Sequence, residues 1–152
     1  MAELKDRLRS DLTVSMRGRD ELRTATIRMV LTAVTNAEVA GAQAREISDE
    51  EVVGVLAKEA KKRRDAADAF RQGGRPDLAE REDAEAAVIA SYLPAPLTDD
   101  ELDALVDAAV AETGANSLRE MGAVMKRLAT DVAGRADGAR VAAAVKARLA
   151  GA

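Results

Sequence analysis

The chain has 152 residues, 47% of them hydrophobic and 33% charged, with a formal net charge of −4. That much apolar material rules out a disordered chain, and the acidic balance rules out a globally basic nucleic-acid binder, so any RNA contact has to come from local clusters. The absence of Cys and His excludes disulfides, thiolate or imidazole metal sites, Cys nucleophiles and every imidazole-dependent dyad or triad.

Leu4, Leu8, Leu12 and Met16 recur every four residues, which predicts a first helix ending near Gly18. Asp20 can cap a second, with Leu22, Ile27, Val30, Leu31 and Val34 on one side, fading around Gly41. In "SDEE", Ser48 and Glu51 have the spacing of a capping box and open a third helix through Val52, Val55, Leu56 and Phe70. "QGGRPDLAE" breaks the chain, and Pro76 suits the first turn of a fourth helix carrying Leu78, Val88, Ile89 and Leu93. Pro94 and Pro96 in "YLPAPLTDDEL" cannot continue a helix, which predicts a linker and two domains, residues 1–93 and 94–152. Beyond the linker, Thr98 with Glu101 starts a fifth helix stopped at Gly114. Ser117 with Glu120 starts a sixth bearing Leu118, Met121, Val124, Met125 and Leu128, and Asp137 caps a seventh bearing Val141, Val145 and Leu149. No stretch alternates with period two, so the expected fold is all-α: four helices, a Pro-containing linker, then three. Phe70 and Tyr92 are the only aromatics, so Ala, Val and Leu must fill the core.

No apolar run approaches the ~20 residues that span a bilayer, and "MAELKDRLRSD" is too charged for a signal peptide, so the expectation is a cytoplasmic protein with no membrane partner. Charge is segregated after the linker. From Pro94 to Gly114 there are only carboxylates; from Ala115 onward Arg119, Lys126, Arg127, Arg135, Arg140, Lys146 and Arg148 outnumber Glu120, Asp131 and Asp137. "KEAKKRR" at 58–64 reads as a solvated helix face paired with acids one turn away, Tyr92 as a packing residue between the domains, and Met121 and Met125 as core.

The stretches "RDELRTATIRMVLTAVTNAE", "GRPDLAEREDAE", "YLP", "AETGANSLREMGAVM" and "GRADG" resemble, in order and over nearly the whole chain, the YqeY-like (GatB/YqeY) family. Its C-terminal part is similar to the tail domain of the B subunit of the tRNA-dependent amidotransferase. The resemblance implies a four-helix domain followed by a three-helix domain, tRNA as a partner, and the amidotransferase-like label that family members carry. The chain departs from the family at "TDVA", just before "GRADG", where members tend to carry more Lys.

Transamidation needs a nucleophile to release ammonia and a nucleotide site to activate a carboxylate, and the sequence offers neither an activated nucleophile nor a Gly-rich phosphate loop. The expected function is therefore a tRNA-binding accessory protein with no catalysis and no cofactor of its own; the alternative is a helical adaptor for a protein partner. The expected RNA-contacting residues are Arg135, Arg140, Lys126, Arg127 and Lys146, meeting backbone phosphates. In "AGRADGARV", Gly134 is expected to end one helix in the left-handed conformation, Asp137 to cap the next and Gly138 to permit close approach of the two. The free amides beside Arg135 and Arg140 form a potential phosphate cradle, for which the Asp137 carboxylate competes.

Overall fold

The computed structural model describes residues 3–151, and among them the secondary structure is seven α-helices and one short 3-10 turn, with no strand. The helices are α1 (Glu3–Arg17), α2 (Glu21–Glu38), α3 (Asp49–Gln72), α4 (Pro76–Ala90), α5 (Asp99–Thr113), α6 (Met121–Val132) and α7 (Gly138–Ala150), with the 3-10 turn Leu118–Glu120 leading into α6. Two compact units follow one another along the chain, the first closing at Pro94 and the second opening at Ala95.

In the first unit Leu8, Ile27, Val30, Val34, Val52, Leu56 and Ile89 are buried together. Met16, expected on the α1 stripe, is instead half exposed, and Ser15 is buried in its place. An every-four spacing drifts by about 40° per step against the 3.6-residue turn, so three steps carry Met16 off the face that Leu4 begins. Ser15 lies between the Leu12 carbonyl (3.0 Å) and the Thr24 hydroxyl (2.9 Å), which satisfies a buried hydroxyl.

Asp20 caps α2 by accepting from the Arg23 amide at 3.0 Å. Ser48 and Glu51 form both arms of the capping box on α3, and the Glu51 carboxylate also takes a two-pronged contact from Arg45. That guanidinium, with the Ser48 amide, lowers the Glu51 pKa to about 2. Ala60, Ala67, Ala79 and Ala86 are all buried along α3 and α4, and Pro76 begins α4 where its missing N–H is harmless. Small side chains let these two helices make the most extensive pairing in the chain.

"KEAKKRR" is largely the solvated face expected: Lys58, Lys61, Lys62 and Arg64 are exposed. Arg63 differs, reaching the partly buried carboxylates of Glu59 on its own helix (3.3 Å) and Glu82 on α4 (4.0 Å), and the buried one of Glu85 on α4 (3.4 Å). Tyr92 belongs to the core of the first unit. Its hydroxyl donates to Asp11 (2.5 Å) and accepts from Arg23 (3.1 Å), while the Arg7 guanidinium sits 4.8 Å from the ring centre. Burial and the Asp11 contact push the phenol up to about 12.

In the second unit Val106, Val124, Leu128, Val141 and Val145 are at most 2% exposed and form the centre of a separate core, with Met121 and Met125 half-buried against it. Thr98 and Glu101 complete a capping box, and Gly114 ends α5 in the left-handed conformation. Glu120 accepts from the Ser117 amide, and the chain enters α6 through the 3-10 turn rather than directly.

Candidate nucleic-acid interface

The turn after α6 contains Gly134 at φ 72, and α7 begins with the Asp137 carboxylate accepting from the Arg140 amide at 2.8 Å. These are the helix stop and cap that "AGRADGARV" suggested. Gly138 differs from expectation: a methyl group at its Cα would meet no other atom, so no close helix approach depends on it. The Asp137 cap already occupies the start of α7, where the phosphate cradle was expected.

Arg135 and Arg140 face inward, onto the segment that leads into α5. The Leu97 amide donates to the Arg135 carbonyl at 2.9 Å, and the Arg135 Nε donates to the Ala95 carbonyl at 3.1 Å. Arg140 donates one guanidinium nitrogen to the Leu97 carbonyl at 2.7 Å and another to the Asp99 carboxylate at 2.8 Å. The planar fork of Arg suits this double contact as a lysine would not. The Gly-Arg-Ala-Asp-Gly turn is thus a clasp that holds the start of the second unit.

Charge segregation along the sequence becomes charge pairing in space. Four arginines of the basic half each meet a carboxylate on α5: Arg127 with Glu112, Arg135 with Glu101, Arg140 with Asp99 and Arg148 with Asp107. Arg127 also reaches Asp131 one turn along its own helix. The hydrogen bond that Arg127 donates to Glu112 raises the Arg127 pKa, and the Glu101 pKa is lowered first by the Thr98 amide and hydroxyl, then by Arg135.

Of the five expected contact residues, the structure therefore draws Arg127, Arg135 and Arg140 into intramolecular pairs. Lys126 and Lys146 are exposed, with no hydrogen bond or ion pair among the described residues. Arg119, on the 3-10 turn, is likewise exposed and unpaired. What sequence reasoning missed are the partners of the arginines, because two of them are backbone carbonyls, at Ala95 and Leu97, which every residue carries.

The resolved pKa shifts all lead away from neutrality: Glu38, Glu51, Asp77 and Glu101 are lowered and Tyr92 is raised. None of these groups is poised for proton transfer near pH 7. Among the described residues no His, Cys, Asp and Glu cluster could hold a metal ion, and no helix is long and apolar enough to cross a membrane.

Comparison with known proteins gives a family model described as Yqey-like protein, matching residues 5–149. The chain is also similar to two proteins named Altered inheritance of mitochondria protein 41, mitochondrial. The one from Clavispora lusitaniae is 33% identical over 83% of this chain and 74% of its own length. The one from Lachancea thermotolerans is 34% identical over 57% of this chain, which spans about half (46%) of that relative.

Proposed function

The chain belongs to the Yqey-like protein family, and from that premise we propose that it is a non-catalytic accessory protein that binds tRNA through backbone phosphates. The observation that carries this reading is the division of labour in the second unit. Four of its five arginines are drawn onto α5 and the clasp, while Lys126 and Lys146 stand in solvent with their charges uncommitted. Lys126 and Lys146 are the phosphate contacts, joined by Arg119; Arg127, Arg135 and Arg140 are positioning residues that shape the surface. Three contacts release few counterions, so this surface by itself contributes a modest affinity and a shallow part of the salt dependence. The reading includes the division into a four-helix and a three-helix domain, supported by two separate cores. The cytoplasmic location is a proposal too, and the names of both relatives, which say mitochondrial of those proteins, make the mitochondrion the alternative compartment.

Titration of labelled tRNA at two salt concentrations tests the reading. The double variant Lys126→Glu, Lys146→Glu is expected to lose roughly tenfold or more in affinity, since each replaced phosphate contact becomes a repulsion. Wild-type affinity in that variant overturns it.

The adaptor reading is favoured by a different observation: Val14, Val39 and Leu118 are large apolar side chains about half or more exposed. A stoichiometric protein complex that persists after nuclease treatment, with no tRNA affinity in the purified chain, replaces the RNA reading with this one.

A further inference from the structure

Helix α1 ends in an unusual way. The Asp20 amide returns to the Ser15 carbonyl (3.0 Å) and the Arg19 amide to the Met16 carbonyl (3.2 Å), a Schellman closure that places one residue in the left-handed region. Glycine normally fills that position because it has no Cβ to clash. Here the left-handed residue is Arg19, at φ 55, while Gly18 stands one place too early to relieve it. An arginine held where glycine costs less points to a use for its side chain.

That side chain has company. Arg17 and Arg19 are exposed and unpaired among the described residues, and Arg28 on α2 is exposed with only the Met16 sulfur, 3.6 Å away, as a partner. The cluster centres on Met16, whose sulfur meets Arg28 and whose carbonyl accepts from the Arg19 amide at 3.2 Å. Elsewhere in the first unit most arginines are matched to acids, as Arg23 is to Asp11, Arg63 to Glu85 and Arg71 to Asp83, with the exposed Arg64 an exception. Asp20 accepts from the Arg23 amide and keeps its negative charge, and Glu21 is exposed beside it, so the three arginines exceed the two carboxylates at the turn by one charge.

We propose that the α1–α2 turn is a second phosphate-binding surface, at which Arg17, Arg19 and Arg28 receive the phosphodiester backbone of a bound RNA. This rests on the RNA reading above but uses none of the residues that carry it. Guanidinium forks suit phosphate oxygens, which they meet two bonds at a time. An anionic bilayer fits less well: Val14 and Met16 are the exposed apolar side chains, but they stand about 160° apart around α1 and form no single wedge.

The test is Arg19→Gly in the full chain, with Arg17→Gln, Arg28→Gln as a second variant, read by tRNA titration and thermal melting. Glycine relieves the left-handed backbone, so the expected result is an unchanged or higher Tm together with an affinity lowered roughly threefold to tenfold. The glutamine pair should lose at least as much affinity at wild-type Tm. Wild-type affinity in both variants, with the Lys126→Glu, Lys146→Glu chain still impaired, overturns this surface and leaves the RNA reading standing. No tRNA affinity in the wild type overturns both. Binding of phosphatidylserine vesicles but not of tRNA, abolished by Arg19→Gly, overturns the phosphodiester assignment in favour of a lipid headgroup surface.

Discussion

Leu128→Ala is expected to unfold the second unit at physiological temperature. Leu128 is fully buried at the centre of a core otherwise made of valines, alanines and a few leucines. Removing a leucine side chain from such a site costs about 2–5 kcal/mol, and a unit of this size rarely holds more than about 3–5 kcal/mol in total. No aromatic stands nearby to collapse into the space, since both are in the first unit, and Met121 and Met125 at the border of the core can fill only part of it. Circular dichroism at 222 nm should show loss of part of the helix signal at 37 °C, and amide resonances of residues 98–150 should collapse while those of the first unit persist. Leu128→Met, which keeps volume, should melt within a few degrees of wild type. A Leu128→Ala chain with the wild-type melt would mean that the core does not hold the unit.

Arg140→Ala carries the next largest effect, on stability rather than on binding. The side chain is about a third exposed, and its contact with Asp99, a carboxylate almost wholly in solvent, is worth little by itself. The contact that matters is with the Leu97 carbonyl, beside a leucine that is 3% exposed. Losing a charged donor to a sheltered carbonyl costs about 1.5–3 kcal/mol, toward the lower end here because water reaches one side. Urea melts should show the midpoint falling in Arg140→Ala and falling less in Arg140→Lys, which keeps the charge but loses the fork. High salt should leave most of that loss in place, since salt screens the Asp99 pair but not the carbonyl contact. A midpoint unmoved by Arg140→Ala would reduce the clasp to a surface decoration.

Helix starts and stops were legible in the sequence because their signals are local. Asp20, Ser48, Thr98 and Asp137 each cap the helix that follows, and Gly114 and Gly134 adopt the left-handed conformation. Where the stripe pattern was followed too far, at Met16, the mismatch between a four-residue spacing and the helical repeat explains the error. Arg19 was hidden for a related reason: glycine at 18 drew attention one residue away from the strained position. The family resemblance named the right family. The candidate site was only half legible. Sequence showed that the basic residues lie in the last third of the chain and the acidic ones just before them, but not that the halves fold onto each other. Arg127, Arg135 and Arg140 were therefore read as facing outward, when Glu112, Glu101, Asp99 and two backbone carbonyls hold them.

We propose that the clasp arginines serve the fold and leave phosphate contact to the exposed cations. Amide and side-chain NMR of the full chain, recorded as tRNA is added, tests it most directly. Shifts are expected at Lys126, Lys146 and Arg119, and around Arg17–Arg19, with the Leu97 amide and the Arg140 guanidinium unmoved. Shifts centred on Gly134 to Arg140, with loss of the hydrogen bond from Leu97 to Arg135, would contradict it.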